Sequence, residues 1–161
     1  MELKPGRLST LVSRLNVYLC HNTAPEKFAT LFICSFDVKA STLTYCCAGH
    51  NPPFLFRKNQ DEVTLLEAGG CPIGLFSDWT YEEETISVSP EDLFVIYTDG
   101  ITEAQNQENQ EFGEDRLKQV ILDHRTKPRE DIQNRILAAV ADFSLSAGQF
   151  DDQTVVIGRI R

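Results

Sequence analysis

The sequence predicts an α+β fold, part of an α-β-β-α sandwich with mostly antiparallel sheets flanked by helices. The α+β class rests on three observations, and the sandwich on a resemblance described below. β-Branched and aromatic runs crowd the stretch from Ala29 to Thr98. Helix-period patterns lie before and after that stretch. Strands and helices also fail to alternate, as they would around a parallel sheet. At 161 residues the chain is sized for a single domain, residues 1–161, able to bury a core. Its 42% hydrophobic and 24% charged residues are the ordinary balance of a globular protein. No internal repeat or low-complexity linker divides it.

Leu8, Leu11, Val12, Leu15 and Leu19 recur at three- and four-residue spacing, which predicts an amphipathic helix over residues 8–21. Ser9 lies close to its start, and Pro25 blocks continuation beyond Asn22-Thr23. Ala29–Phe36 and Thr42–Ala48 are strand-like runs joined by Asp37-Val38-Lys39-Ala40-Ser41, so a hairpin is expected. Pro53–Arg57 and Val63–Glu67 form a second expected pair around the polar Lys58–Glu62 turn. Tyr81–Val88 and Leu93–Thr98 form a third, across Ser89-Pro90-Glu91-Asp92. Gln105–Glu111 is polar and reads as a loop. Leu117, Val120 and Ile121 mark a helix within residues 113–124. Ile132, Ile136, Val140 and Phe143 mark another over residues 129–145, with Pro128 near its N-terminus. Val155–Ile160 closes the chain as a strand. A lone helix running into strands with few partners leaves sheet edges and faces uncovered, so association into a homo-oligomer is expected.

The count of 15 basic against 24 acidic residues gives −9, spread along the chain. That balance disfavours nucleic-acid binding, which needs cations to replace phosphate counterions, and it suits a protein that gathers divalent cations. The cysteines are Cys20, Cys34, Cys46, Cys47 and Cys71. Their odd number and the lack of a C-x-x-C pair suggest neither a disulfide framework nor a zinc knuckle, so buried thiols in a reducing compartment are expected. No apolar run approaches the roughly 20 residues of a membrane span, and Met1 is not followed by a signal-peptide core. The sequence therefore reads as cytoplasmic, with no membrane in this segment.

Two stretches are candidates for chemistry. Leu93–Ala104 is an apolar strand that ends in Asp99-Gly100, placing a carboxylate at a strand terminus with a glycine that permits close approach. Phe150–Ile157 carries the pair Asp151-Asp152 just before the last strand, where two adjacent acids repel unless solvent or a cation relieves them. Hard cations such as Mg²⁺ and Mn²⁺ are held by such carboxylates. Each stretch has a plainer reading: Asp-Gly as a turn, and paired acids as a solvated loop. His50, within Ala48-Gly49-His50-Asn51-Pro52-Pro53, reads as a turn residue bonded to nearby backbone. Gly69-Gly70-Cys71-Pro72-Ile73-Gly74 reads as a turn with unusual backbone angles, since no helix and lysine follow to make a phosphate loop. His21 and His124 fall at predicted helix C-termini, which the helix dipole explains.

Six stretches then occur in a meaningful order. They are Phe28-Ala29-Thr30-Leu31-Phe32, Ala48–Pro53, Gly69–Leu75, Thr98–Ala104, Glu111-Phe112-Gly113 and Asp151-Asp152-Gln153-Thr154. From about Leu8 to its end the chain resembles the bacterial type 2C (PPM) serine/threonine protein phosphatases of the SpoIIE and RsbU branch. The resemblance implies a β-sandwich with metals bound at one end. It implies metal ligation at Asp99 and Asp151, an accessory acid at Asp152, tight approach at Gly100 and a supporting role for Glu103. It also implies a water activated by two Mn²⁺ or Mg²⁺ ions that attacks a phosphoserine or phosphothreonine, with no protein nucleophile. The implied partner is a phosphoprotein substrate, such as an anti-sigma-factor antagonist.

One departure is large. The family's first strand carries an Asp-x-x-Gly-His-Gly motif whose aspartate bridges both metals, and these 161 residues contain none. The chain is therefore expected to be the C-terminal portion of the domain, with one weakly held metal at most. A non-catalytic interaction module of the same shape is the alternative.

Overall fold

The computed structural model describes residues 7–58, 60, 62–144 and 152–161. Its elements are α1 (Arg7–Asn22), β1 (Leu31–Asp37), β2 (Thr42–Ala48), β3 (Phe54–Phe56), β4 (Val63–Leu65), β5 (Gly69–Gly70), β6 (Glu84–Ser87), β7 (Leu93–Tyr97), α2 (Asp99–Thr102), α3 (Gly113–His124), α4 (Arg129–Phe143) and β8 (Val155–Arg159). The chain is α+β, and its two sheets are dominated by antiparallel pairs with helices alongside, in line with the sequence. It divides into two compact units: the described residues of Met1–Pro52 with Leu66–Ser89, and those of Pro53–Leu65 with Pro90–Arg161. Among the described residues no helix is long and apolar enough to cross a membrane.

In the first unit β2 is the central strand. It pairs antiparallel with β1, from Leu31↔Ala48 to Asp37↔Thr42. The Asp37 carboxylate closes that hairpin by accepting the Lys39 and Ala40 N–H groups, both at 2.9 Å. On its other side β2 takes β6 antiparallel along its first half and β5 parallel along its end. Residues alternate between faces along a strand, so Cys46 and Ala48 share one face, and there they form a core with Leu8 and Val12 of α1, Ile73 and Tyr81. β5 comes so near that a Cβ on Gly69 would sit 1.9 Å from the Cys47 carbonyl oxygen, which restricts that position to glycine.

The second unit holds a sheet in the order β4-β3-β7-β8, antiparallel throughout. Leu93, Val95 and Tyr97 of β7 are buried on one face with Phe54 and Phe56 of β3. The helices meet this core with apolar residues four apart, Leu117 and Ile121 from α3 and Ile132, Ile136 and Val140 from α4. At the start of β7, Asp92 is buried and bonded to Arg57 at 2.9 Å, so its charge is paired.

Two expectations need correction. The third hairpin does not form: β6 pairs with β2, whereas β7 pairs with β3 and β8. Ser89–Asp92 is a crossing between sheets, with Val88 N–H bonded to the Ser41 carbonyl on one side and Asp92 fastened to Arg57 on the other. Local turn chemistry was right, but strand pairing is settled by long-range burial. Gly69-Gly70 also makes a short strand, and the left-handed angle belongs to Gly74, at φ 99°.

Candidate functional site

The end of β7 in the second unit carries Asp99, with the segment of Asp152 fastened beside it. Beyond the last ladder pair, Tyr97↔Val155, the two strands stay fastened through Thr98. Thr98 N–H donates to the Thr154 carbonyl at 3.1 Å. The Thr98 hydroxyl accepts the Thr154 N–H at 3.0 Å and donates to the Asp152 carbonyl at 3.1 Å. A single side chain thus extends the β7–β8 pairing and holds the segment carrying Asp152 beside the backbone that delivers Asp99.

Asp99 opens α2, a single turn anchored by Ile101, which is buried in the core of the unit, and by Thr102. The Asp99 carbonyl accepts the Glu103 N–H at 2.7 Å, closing the turn. The Asp99 side chain faces solvent, and its Oδ1 accepts the Gly100 N–H at 2.9 Å. Gly100 is buried and helical, so left-handed freedom is not what that position requires. Glu103 and Asp152 are exposed. Asp151 lies outside the described residues. Of the nominated set, the structure therefore places Asp99, Gly100 and Asp152 at one end of one sheet.

Carboxylate and carbonyl oxygens suit a hard divalent cation, so the donor chemistry fits Mg²⁺ or Mn²⁺. Among the described residues, however, no three His, Cys, Asp or Glu side chains converge into a metal-holding group. The described part of the site is an exposed acidic end, with backbone positions fixed by Thr98 and Ile101.

The residues read as structural make local contacts. In the first unit, His50 Nδ1 lies 2.8 Å from the Asn51 carbonyl, and the Cys47 thiol donates to the His50 carbonyl at 3.1 Å. Gly49 has φ 69°, and a Cβ there would press on the Pro72 ring at 2.4 Å. His124 Nδ1 lies 2.9 Å from the Val120 carbonyl in the last turn of α3. Three of the thiols are poor nucleophiles. Burial pushes Cys34 up, and burial first, then the charge of its neighbour Cys47, raises Cys46 to about 11. Cys47 also rises to about 11, mainly through burial and against the opposing hydrogen bond at His50.

The Thr98 bridge went unread in the sequence, although Thr98 lies in the Thr-Asp-Gly stretch itself. A threonine before Asp-Gly is compatible with a strand end, and its partners become visible only once β8 is known to pair with β7.

A family model described as Stage II sporulation protein E (SpoIIE) matches residues 2–161. Phosphoserine phosphatase RsbU of Bacillus subtilis is 27% identical over 154 residues, which cover 94% of this chain and 44% of that protein. The chain therefore spans less than half of that relative. Among solved structures, the PP2C phosphatase domain with a fragment of the regulatory domain of SpoIIE from Bacillus subtilis superposes with a TM-score of 0.75 at 23% identity. It covers 94% of this chain and 44% of that one. A manganese-presoaked form of the SpoIIE phosphatase domain gives a TM-score of 0.66 at 23% identity, covering 94% and 64%.

Proposed function

The chain belongs to the SpoIIE family, and from that premise we propose that it is the C-terminal portion of a metal-dependent phosphoserine/phosphothreonine protein phosphatase domain. The observation that carries this reading is the exposed carboxylate of Asp99 at the end of β7, with Asp152 tied alongside by Thr98. Asp99 and Asp151 are the proposed ligands, Asp152 the accessory acid and Gly100 the close-approach position. A bound Mn²⁺ or Mg²⁺ supplies a Lewis acid for the phosphoryl oxygens and lowers the pKa of a bound water. The part of this chain is to present oxygen donors from a rigid strand end, because a shift of about 1 Å in such donors costs on the order of 100-fold in rate. Raised thiol pKa values and the backbone contacts of His50 agree with a mechanism that uses no protein nucleophile. The proposed substrate is a phosphorylated cytoplasmic signalling protein such as an anti-sigma-factor antagonist.

Titration calorimetry with Mn²⁺ tests the ligands: one weakly held ion is expected, lost in Asp99→Asn. Tight binding of two ions refutes the single-ion reading, and no binding at all refutes the metal role. Hydrolysis of p-nitrophenyl phosphate with Mn²⁺ tests the activity. It is expected to fall by about 100-fold in Asp99→Asn, as for loss of one stabilising group in a transition state. Equal background in both proteins favours a non-catalytic interaction module, the reading supported by the absence of an Asp-x-x-Gly-His-Gly stretch from these residues.

A further inference from the structure

α1 departs from the single apolar face that its sequence suggests. It buries Leu8, Val12 and Asn16, while Leu11 and Leu15 stand 43% and 38% exposed and Tyr18 stands 65% exposed. A polar residue thus occupies the core while two leucines meet solvent. Residues three and four apart are neighbours on a helix surface, so Leu11, Leu15 and Tyr18 form one continuous stripe. With Leu8 before them and Asn22 after, they keep alternating spacings of three and four, the seam by which one helix packs along another.

At about 100° per residue, Ser9 and Asn16 fall on the other side of the helix from this stripe. That side is already taken. Ser9 N–H donates to Glu83 Oε2 at 2.8 Å, and Asn16 is bonded to the Phe76 carbonyl and the Gly74 N–H. The border of the open stripe is basic. Arg7 lies one turn before Leu11, and Arg14 lies one turn from both Leu11 and Tyr18. α1 contains no aspartate or glutamate, in a chain whose net charge is −9. Arg14 makes no ion pair among the described residues.

We propose that this face of α1 docks an amphipathic helix of a partner protein, one whose apolar seam is bordered by aspartate and glutamate. Leu11 and Leu15 supply the apolar contact, and Tyr18 adds a large ring with its hydroxyl at the wet rim. Arg14 supplies the charge that selects an acidic border. A second copy of this chain suits the face less well, because its α1 offers the same cations and no carboxylate to meet them. The surface belongs to the first unit and does not depend on metal chemistry at Asp99.

The test uses the full chain and two synthetic helical peptides of about three heptads, with leucine at the seam positions and either glutamate or lysine along the border. Each peptide is titrated while amide chemical shifts and heat are recorded. Saturable shifts are expected at residues 11–18, with the glutamate peptide binding about tenfold tighter than the lysine peptide. Leu15→Ser/Tyr18→Ser is expected to weaken the glutamate peptide about tenfold, and Arg14→Glu to reverse the preference between the two. Equal affinities overturn the acidic assignment, and shifts centred away from α1 overturn the site. Light scattering of the chain alone covers the remaining occupant. A dimer that Leu15→Ser/Tyr18→Ser dissociates would make a second copy the occupant and overturn the proposal, whereas an unchanged state in that variant supports it. The two peptides compared on the unaltered chain decide the matter even if a variant fails to fold.

Discussion

The two units solve the same problem, one sheet and its helices, by different means. In the second, three helices stand with the sheet, and aromatic and branched residues from every element close a continuous core. In the first, α1 contributes only Leu8 and Val12 as fully buried apolar residues, and polar fastening does more of the holding. Asn16 of α1 is completely buried there. Its Nδ2 donates to the Phe76 carbonyl at 2.7 Å, and its Oδ1 accepts the Gly74 N–H at 2.8 Å. The unit with the larger apolar core also carries Asp99 and Asp152. A site that must place oxygens accurately gains from elements packed on several sides. The Gly-rich motifs of the first unit serve backbone fit, as Gly49 and Gly69 show.

The contrast breaks if truncating the second core destabilises no more than truncating the first. Phe54 lies 4.8 Å from the Tyr97 ring and 6.1 Å from the Phe56 ring, centroid to centroid, with the Lys118 ammonium 5.0 Å over its face. Phe54→Ala is expected to destabilise the chain by about 3–5 kcal/mol, read as a drop in the urea midpoint. Leu8→Ala in the first unit is expected to lose about 2 kcal/mol, at the low end for buried leucines. Equal losses would remove the distinction.

Much of the second unit was legible in the sequence because its helices keep an apolar residue every four positions and its last strand is a plain branched run. Asp99 and Asp152 were legible as residue types at strand ends, and antiparallel pairing of β7 with β8 then puts them at the same end. The first unit was harder to read. A two-residue strand of glycines has no hydrophobic pattern, and only the approach of Gly69 to Cys47 marks it as sheet. The β6–β7 crossing misled for a related reason: Ser89-Pro90-Glu91-Asp92 favours a turn wherever its flanking strands go.

Removing Asn16's side chain sharpens the contrast from the other side. Asn16→Ala leaves the Gly74 N–H and the Phe76 carbonyl without that partner, at an expected cost of about 1–3 kcal/mol. Amide exchange should quicken at Gly74 and within α1 while protection in β7 and β8 is unchanged. Loss of protection in both units together would show that the pin serves more than its own sheet.

The smallest effect is a pH dependence that the first unit should show through its thiols. Cys46 and Cys47 have an ordinary value of 9.0 and are raised to about 11 in the folded chain, in both cases chiefly by burial. Between those values the unfolded chain has lost the thiol protons while the folded chain keeps them, so folding opposes ionisation and stability falls as pH rises. Below pH 8 both states hold the protons, and the thiols contribute no slope. The urea midpoint should therefore be level from pH 7 to 8 and decline above pH 9, by about 1 kcal/mol per thiol between pH 9 and 10. Burial also raises Tyr45, bonded to Glu84, and Tyr81, so the decline should continue at higher pH. In Cys46→Ala/Cys47→Ala the onset should move up toward the range where tyrosines titrate in the unfolded chain, about pH 10. An unchanged onset in that variant would assign the alkaline sensitivity to another group, such as the Cys34 thiol that burial also raises, instead of the paired thiols of β2.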